Sequence, residues 1–340
     1  MERVIKNELD SGFAVVRPPG HHCERDRPMG FCLFNNIVVA MHVIKKRYKD
    51  MGTYQRFAII DWSVTAKKKK SEKRGRKKEV DVHHGNGTQN LCWDDKDVLY
   101  LSIHRGDNGS FYPCTGFATD VGGHNNVVNI PLLREMGDKE YIQCFENVIC
   151  PIVESFAPDM ILISSGFDAC IGDPLGGMNV TPPMYGRFVH YLYNNIAWKH
   201  GQVPGIVCLL EGGYDLETMP KAACCIIYSL LHKSFDEEQF LRDIKDAEDF
   251  NLWKQLIKTK KEHPRAAKYF EETLKELFDV HSGHFPLLAK TNKFKELSNR
   301  EKSPNDIVVI NSSQKVIKKN RITHVMNNYT KKSIKALQQK

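Results

Sequence analysis

The sequence predicts an α/β fold with three layers, in which helices cover both faces of a mainly parallel central sheet. Short, continuously apolar runs rich in Val and Ile recur up to about residue 213, as is typical of strands buried on both faces. Longer segments with apolar residues at helical spacing lie between these runs. Such alternation of strands and helices favours parallel strands joined by crossover helices.

Five strands are predicted, and polar residues follow each of them. The strands are FAVV (13–16), FAIID (57–61), VLYLSIH (98–104), MILISS (160–165) and GIVCLLEGG (205–213). Functional groups of open parallel sheets gather beyond the carboxyl ends of the strands. We therefore expect a site formed by the residues that follow these runs.

Helices are predicted between the strands and after them. Residues 35–49 and 139–156 have apolar residues at i, i+3 and i+4, and Pro151 is expected to kink or break the second helix. Residues 181–201 begin with prolines and end at Gly201, which is typical of a single helix. The predicted organisation is a domain over 1–235, a helical extension over 236–289 and a basic, disordered tail over 290–340.

The net charge of +8 is concentrated in two segments. Residues 63–80 contain nine Lys or Arg and two Glu, and residues 290–340 contain thirteen Lys or Arg and three acidic residues. Such runs are typically solvated and disordered. Nuclear import and weak contact with nucleic acid are functional alternatives, and specific nucleic-acid binding is not expected.

Composition favours an intracellular chain without a membrane span. No apolar run approaches the ~18 residues that a spanning helix needs, and the opening residues MERVIKNELD have no secretory signal. The ten cysteines have no CxxC spacing and mostly lie in apolar segments, as reduced, buried thiols do. We expect the protein in the nucleus or the cytoplasm.

Asp81 and His83 of DVHHGNGTQ (81–89) are candidate metal ligands. On an extended segment, residues two apart point to the same face. Asp168, at the end of another predicted strand, would complete a set of two carboxylates and one imidazole, and a catalytic zinc typically has three protein ligands. Spacing alone leaves a second interpretation, in which Asp81 and His83 only cap a loop.

Five segments together resemble the zinc-dependent histone deacetylases, specifically their class II branch. In the order of the family they are VRPPGHHCERDRPMGFCLFNN, DVHHGNGTQ, YLSIHRGDNGSFYP, ISSGFDACIGDPLGG and CLLEGGYDL, between about residues 11 and 232. The resemblance implies an arginase/deacetylase-like fold and hydrolysis of N6-acetyl-lysine on histones or other proteins. It also implies chromatin and transcription regulation, with corepressor complexes as partners.

The resemblance assigns catalytic roles to matching residues. The residues that match the zinc ligands are Asp81, His83 and Asp168. His22 matches the general base and acid, and His21 matches its electrostatic partner. Tyr214 matches the residue that donates a hydrogen bond to the substrate carbonyl.

Further residues match the surroundings of the family's site. The residues that match the tunnel walls are Gly30, Phe31 and Tyr112. The residues that match an inner potassium site are Asp61, Asp81, His83, Ser102 and Ile103. Asp61 and Asn86 stand where the family places partners for the two histidines.

Two positions indicate the kind of substrate. The weakly active class IIa enzymes have a histidine where this chain has Tyr214. The acetylpolyamine-hydrolysing relatives carry a glutamate at the position of Leu175, and leucine cannot attract a second ammonium group. The resemblance therefore favours an acetyl-lysine protein substrate.

The chain departs from the family in two places. DWDVHHG is continuous in the family, whereas residues 63–80 separate Trp62 from Asp81 here. We interpret 63–80 as an insert. Three explanations of it stay open: a retained intron or gene-model error, a tolerated surface loop, or an inactivating insertion. The chain also begins only ten residues before SGFAVV, so we expect an N-terminal truncation relative to the family.

Two alternative functions stay open. The insert and the short N-terminus favour a catalytically impaired, deacetylase-like scaffold protein. An acetylpolyamine-type amidohydrolase has the same implied fold, and Leu175 argues against it.

Overall fold

The computed structural model of the protein describes residues 1–51, 54–62, 84–198, 204–244 and 264–301. The predicted features outside these ranges are the insert 63–80, the ligands Asp81 and His83, Gly201 and most of the tail. The chain divides into two compact units, Met1–Lys295 and Glu296–Lys340. Within the described ranges, no helix is both long and apolar enough to cross a membrane.

A six-stranded sheet, parallel at every pairing, forms the centre of the first unit. Its strands are β1 (Ser11–Ala14), β2 (Phe57–Asp61), β3 (Val98–Arg105), β4 (Val127–Leu132), β5 (Met160–Ser165) and β6 (Gly205–Leu210), in the order β1-β6-β5-β2-β3-β4. Every residue of β2 and β5 is buried, which explains their continuously apolar sequences. The predicted α/β fold with a parallel sheet is confirmed.

The predicted strands differ from the observed ones mainly at their ends. β1 lies two residues earlier than predicted and β6 ends three residues earlier, at Leu210. β4 is not among the predicted strands, because its sequence VVNIPL contains Asn129 and Pro131. β4 is an edge strand, where a proline is tolerated because one side of the strand needs no hydrogen-bond partner.

Helices connect the strands and follow them along the chain. They are α1 (Glu2–Ile5), α2 (Asn36–Arg47), α3 (Asn86–Cys92), α4 (Asp138–Cys144), α5 (Cys150–Phe156), α6 (Pro182–Asn194), α7 (Thr218–His232), α8 (Glu237–Ile244), α9 (Pro264–His281) and α10 (Asn292–Glu301). α2 begins at an Asn35 cap, whose side-chain oxygen accepts from the Val38 N–H at 3.2 Å. α6 begins at the predicted prolines but ends at Asn194, so the predicted end at Gly201 is wrong.

Pro151 interrupts its helix as predicted. α4 is followed by a π-helical turn, Phe145–Ile149, and α5 begins immediately afterwards with Pro151 in its first turn. Proline has no backbone N–H and its ring clashes with the preceding helical turn. The wider π turn gives the chain room to pass this residue and continue as a helix.

Apolar side chains fill both spaces between the sheet and its helices. On one face, Phe57 and Ile59 of β2 pack in a cluster with Met41 of α2. On the other face, the rings of Phe145 and Phe188 are stacked, with 4.7 Å between centroids. These two cores hold the sheet rigidly, so the loops at its carboxyl edge start from fixed positions.

Candidate active site

The carboxyl ends of the central strands bring predicted site residues together. In the strand register, Asp61 at the end of β2 lies opposite Ser102 of β3 on one side and Ser164 of β5 on the other. Asp61 is only 1% exposed. The strands therefore place a buried carboxylate at the edge that the sequence predicts for the site.

His21 pairs with this carboxylate. The His21 Nδ1 lies 3.1 Å from Asp61 Oδ2, and the Tyr100 hydroxyl donates to the same oxygen at 3.1 Å. Burial alone would lower the pKa of His21, but the Asp61 and Glu211 carboxylates outweigh it and raise the pKa. Asp61 therefore favours a proton on His21 and fixes the direction of its ring.

His22 pairs with Asn86, the first residue of α3. The His22 Nδ1 lies 2.8 Å from Asn86 Oδ1, and an amide oxygen only accepts hydrogen bonds, so Nδ1 carries the hydrogen. Burial and repulsion from His21 lower the pKa of His22 to about 3. His22 is therefore a neutral imidazole near pH 7, with its lone pair on Nε2.

Glu211 anchors the loop that carries both histidines, although it is not among the predicted site residues. Its Oε2 accepts from the backbone N–H groups of Gly20 and His21 at 2.6 and 3.1 Å, and its Oε1 accepts from Ser164 Oγ at 3.1 Å. Burial raises the pKa of this carboxyl group. A glutamate directly after the apolar run GIVCLL was the available signal, because a buried carboxylate needs hydrogen-bond partners.

Tyr214 follows β6 through a turn at Gly213, whose φ of +120° suits glycine. Gly213 therefore allows the backbone to turn between β6 and Tyr214. Burial, and then the nearby Asp168 carboxylate, raise the pKa of the Tyr214 phenol. The phenol keeps its proton at neutral pH and can donate it in a hydrogen bond.

A tight turn presents Phe31, one of the predicted tunnel residues. Met29 and Cys32 pair across it, and Gly30 and Phe31 both have positive φ, at 52° and 65°, as in a type I′ turn. The Phe31 ring is 59% exposed and its centroid lies 6.5 Å from that of Tyr214. The turn thus places an aromatic wall beside the tyrosine.

Tyr112 and Leu175 also lie next to site residues. The Tyr112 ring meets the His22 ring edge-on, with 6.0 Å between centroids. The Leu175 N–H donates to Asp173 Oδ1 at 2.8 Å, and the other oxygen of Asp173 accepts from the Tyr214 N–H at 2.8 Å. Tyr112 therefore lies beside His22, and Asp173 links the backbone of Leu175 to that of Tyr214.

Only part of the predicted metal sites lies in the described residues. Asp168 is 1% exposed, and Ser102 and Ile103 are equally buried on β3. Within the described ranges, no group of three or more His, Cys, Asp or Glu side chains could hold a metal ion. Two of the three predicted zinc ligands, Asp81 and His83, are outside those ranges.

The residues that flank the predicted insert lie close to each other. The Tyr100 hydroxyl is 3.1 Å from Asp61 Oδ2 and 3.2 Å from the Gly85 carbonyl oxygen. His84 is buried, with its Nδ1 2.9 Å from Thr115 Oγ1. The chain is therefore back beside Asp61 by Gly85. The buried Asp168 carboxylate is an oxygen donor of the kind that binds zinc, so this residue fits a zinc ligand.

Comparison with known proteins identifies the family. The histone deacetylase domain matches residues 1–65 and 78–230, which is more than half of the chain. The chain belongs to the histone deacetylase family, whose members are in general zinc-dependent. The interruption of the match, residues 66–77, lies inside the predicted insert.

Individual relatives agree with this assignment. Histone deacetylase 4 of Caenorhabditis elegans is 42% identical over 240 residues, which are 69% of this chain and 25% of that protein. Histone deacetylase 18 of Arabidopsis thaliana is 42% identical over 236 residues, which are 68% of this chain and 31% of that protein. The chain therefore spans about a quarter to a third of the length of these two relatives.

A solved structure supports the fold. The crystal structure of the HDA15 HD domain superimposes with a TM-score of 0.63 at 31% identity, over 87% of this chain and 68% of that chain. The arginase/deacetylase-like α/β fold that the sequence resemblance implies is thereby confirmed.

Proposed function

We propose that this chain is a zinc-dependent protein lysine deacetylase of the class II type, which hydrolyses the amide of N6-acetyl-lysine. One observation carries the proposal. Two buried histidines, each paired with its own side-chain partner, lie with Tyr214 and Asp168 at the carboxyl edge of the parallel sheet. Amide hydrolysis needs a base for water and a donor for the developing oxyanion, and these residues can supply both.

His22 is the proposed general base and acid. Its Nδ1–H is engaged by Asn86, so Nε2 takes the proton of the attacking water. The same nitrogen then delivers this proton to the leaving lysine amine. His21, held by Asp61, is the proposed electrostatic partner of His22, and the centroids of the two rings lie 3.9 Å apart.

Tyr214 is the proposed oxyanion donor. Its raised pKa keeps the phenol protonated, so the O–H is available to the carbonyl oxygen as negative charge develops. Donors of this kind contribute about 3–4 kcal/mol to transition-state stabilisation.

Asp168, Asp81 and His83 are the proposed zinc ligands. A bound zinc ion would polarise both the carbonyl group and the water. Asp61, Ser102 and Ile103, with Asp81 and His83, are the proposed potassium site.

The surroundings of the site favour a lysine side chain as the substrate. Phe31 and Tyr112 form apolar walls that suit an aliphatic stem, together with Gly30 at the turn. Leu175 brings no charge for a second ammonium group. We further propose acetylated histone tails or other proteins as substrates, corepressor complexes as partners, and action in the nucleus or cytoplasm.

The test measures zinc content together with the release of acetate from an acetyl-lysine peptide. The full chain is compared with a variant lacking residues 63–80, because the insert separates Trp62 from the proposed ligand Asp81. Zinc binding with turnover in either form supports the proposal. Zinc without turnover in both forms supports the scaffold alternative, and turnover only on a small acetylated amine supports the polyamine alternative.

A further inference from the structure

Glu24 lies behind Asn86, on the opposite side of this amide from His22. Its Oε1 accepts a hydrogen bond from Asn86 Nδ2. Asn90, one turn further along α3, donates its Nδ2 to both Glu24 oxygens at 3.1 Å. Glu24, Asn86 and His22 thus form a continuous chain of hydrogen bonds that ends at the imidazole.

The chemistry of these groups fixes the direction of the chain. An ionised carboxylate only accepts hydrogen bonds, so the Asn86 amide must turn its NH₂ group towards Glu24. The amide oxygen then faces His22, and only an Nδ1–H can bond to it, at 2.8 Å. A rotated amide would face His22 with its NH₂ group and favour a lone pair on Nδ1 and a hydrogen on Nε2.

We infer that Glu24 is a positioning residue, which holds the Asn86 amide so that His22 keeps its lone pair on Nε2. The inference rests on the proposed function, in which Nε2 takes the proton from water. An asparagine side chain can present either its carbonyl oxygen or its NH₂ group to a neighbouring histidine. Only the oxygen accepts a hydrogen bond from Nδ1–H and leaves the lone pair on Nε2. Glu24 selects this end through a hydrogen bond to an ionised acceptor, which is about twice as strong as one between neutral groups.

A double-mutant cycle tests this role. Glu24→Ala should lower kcat about 10- to 100-fold with KM nearly unchanged, since it removes support behind the base rather than substrate contact. Glu24→Gln can still accept through its amide oxygen and should retain more activity than Glu24→Ala. Asp26→Ala, which removes an exposed carboxylate from the same loop, is the matched control and should leave kcat unchanged.

Asn86→Asp provides the decisive background. A carboxylate has two equivalent oxygens, so it needs no neighbour to orient it, and Glu24 would then only repel it. Adding Glu24→Ala to Asn86→Asp should therefore leave kcat unchanged or raise it. An equal loss of kcat from Glu24→Ala in the wild type and in Asn86→Asp would overturn the inference. It would mean that Glu24 only stabilises its loop and does not orient the Asn86 amide.

A measurement without turnover separates this inference from the proposed function. In the ¹⁵N-histidine NMR spectrum of the zinc-free full chain, His22 should appear as the Nδ1–H tautomer. Glu24→Ala should shift it towards the Nε2–H tautomer, and Asn86→Asp with Glu24→Ala should restore Nδ1–H. The same tautomer in wild type and Glu24→Ala would overturn the inference, whether or not the protein deacetylates a peptide.

Discussion

One carboxylate, Asp173, holds the backbone of Tyr214 and the loop that carries Leu175. Its Oδ2 accepts from the Tyr214 N–H at 2.8 Å, while its Oδ1 accepts from the Leu175 and Gly176 N–H groups at 2.8 and 2.9 Å. Asp173 itself is buried. The same side chain thus positions the backbone of the proposed oxyanion donor, Tyr214, and that of the proposed tunnel residue Leu175.

Replacing Asp173 should weaken catalysis without abolishing zinc binding. In Asp173→Asn, one oxygen becomes an NH₂ group that faces a backbone N–H, so either Tyr214 or the Leu175 loop loses its acceptor. We expect kcat to fall about 10- to 100-fold, while the zinc content measured by atomic absorption stays constant. In a Tyr214→Phe background the same substitution should lower kcat only slightly. A full additional loss there would show that Asp173 does not act through Tyr214.

Gly176 is expected to be intolerant of any side chain. A Cβ at this position would overlap with the Asp168 carbonyl oxygen and press on the Asp168 carbonyl carbon at 2.8 Å. Gly176→Ala should therefore displace Asp168 and lower zinc affinity at least tenfold, measured by competition with a chelator. Gly12→Ala is the control, because a Cβ there meets nothing within 4 Å. Equal zinc affinity in the two variants would contradict the assignment of Asp168 as a ligand.

Elements defined by local pattern could be predicted from the sequence, and long-range contacts could not. β2 was predicted with its observed bounds, Phe57–Asp61, because a strand buried on both faces is apolar throughout. β4 was missed because Asn129 and Pro131 break that pattern, although its edge position tolerates the proline. The sequence alone also indicated that residues after the strands form the site.

Residues that act through partners far along the chain escaped prediction. Glu211 bonds to Gly20 and His21, which lie about 190 residues away, and Glu24 bonds to Asn86, 62 residues away. No local sequence pattern indicates such pairs, because the fold determines which loops meet at the edge of the sheet. The positions assigned by resemblance to the family stay predictions until the zinc and turnover measurements are made.

A charge at the position of Leu175 should change the preferred substrate. Leu175→Glu would place a carboxylate at a proposed substrate-tunnel position, where we expect it to attract the second ammonium group of an acetylated polyamine. An exposed ion pair contributes up to about 1 kcal/mol, so kcat/KM for such an amine should rise up to about fivefold relative to a neutral acetyl-lysine peptide. Leu175→Gln has nearly the same shape without the charge and is the control. An equal change in both variants would exclude an electrostatic cause.

The protein should become less stable as the pH decreases, because of His281, the last residue of α9. Its ring is fully buried beside Phe285, and neither ring nitrogen has a hydrogen-bond partner among the described residues. Burial, and then repulsion from His284, lower the pKa of His281 from 6.5 to about 4. Between these values the unfolded chain binds a proton that the folded protein does not, so acid favours unfolding.

This stabilisation is complete above pH 6.5 and is lost as the pH falls towards 4. The loss due to His281 should reach about 3 kcal/mol in the free energy of unfolding. Urea unfolding of wild type and His281→Leu at several pH values checks this, since leucine cannot be protonated and the variant should gain relative stability on acidification. His124→Gln, which changes an exposed histidine, should follow wild type. A constant difference between wild type and His281→Leu from pH 7 to pH 4 would mean that His281 is protonated as easily in the folded protein as in the unfolded chain.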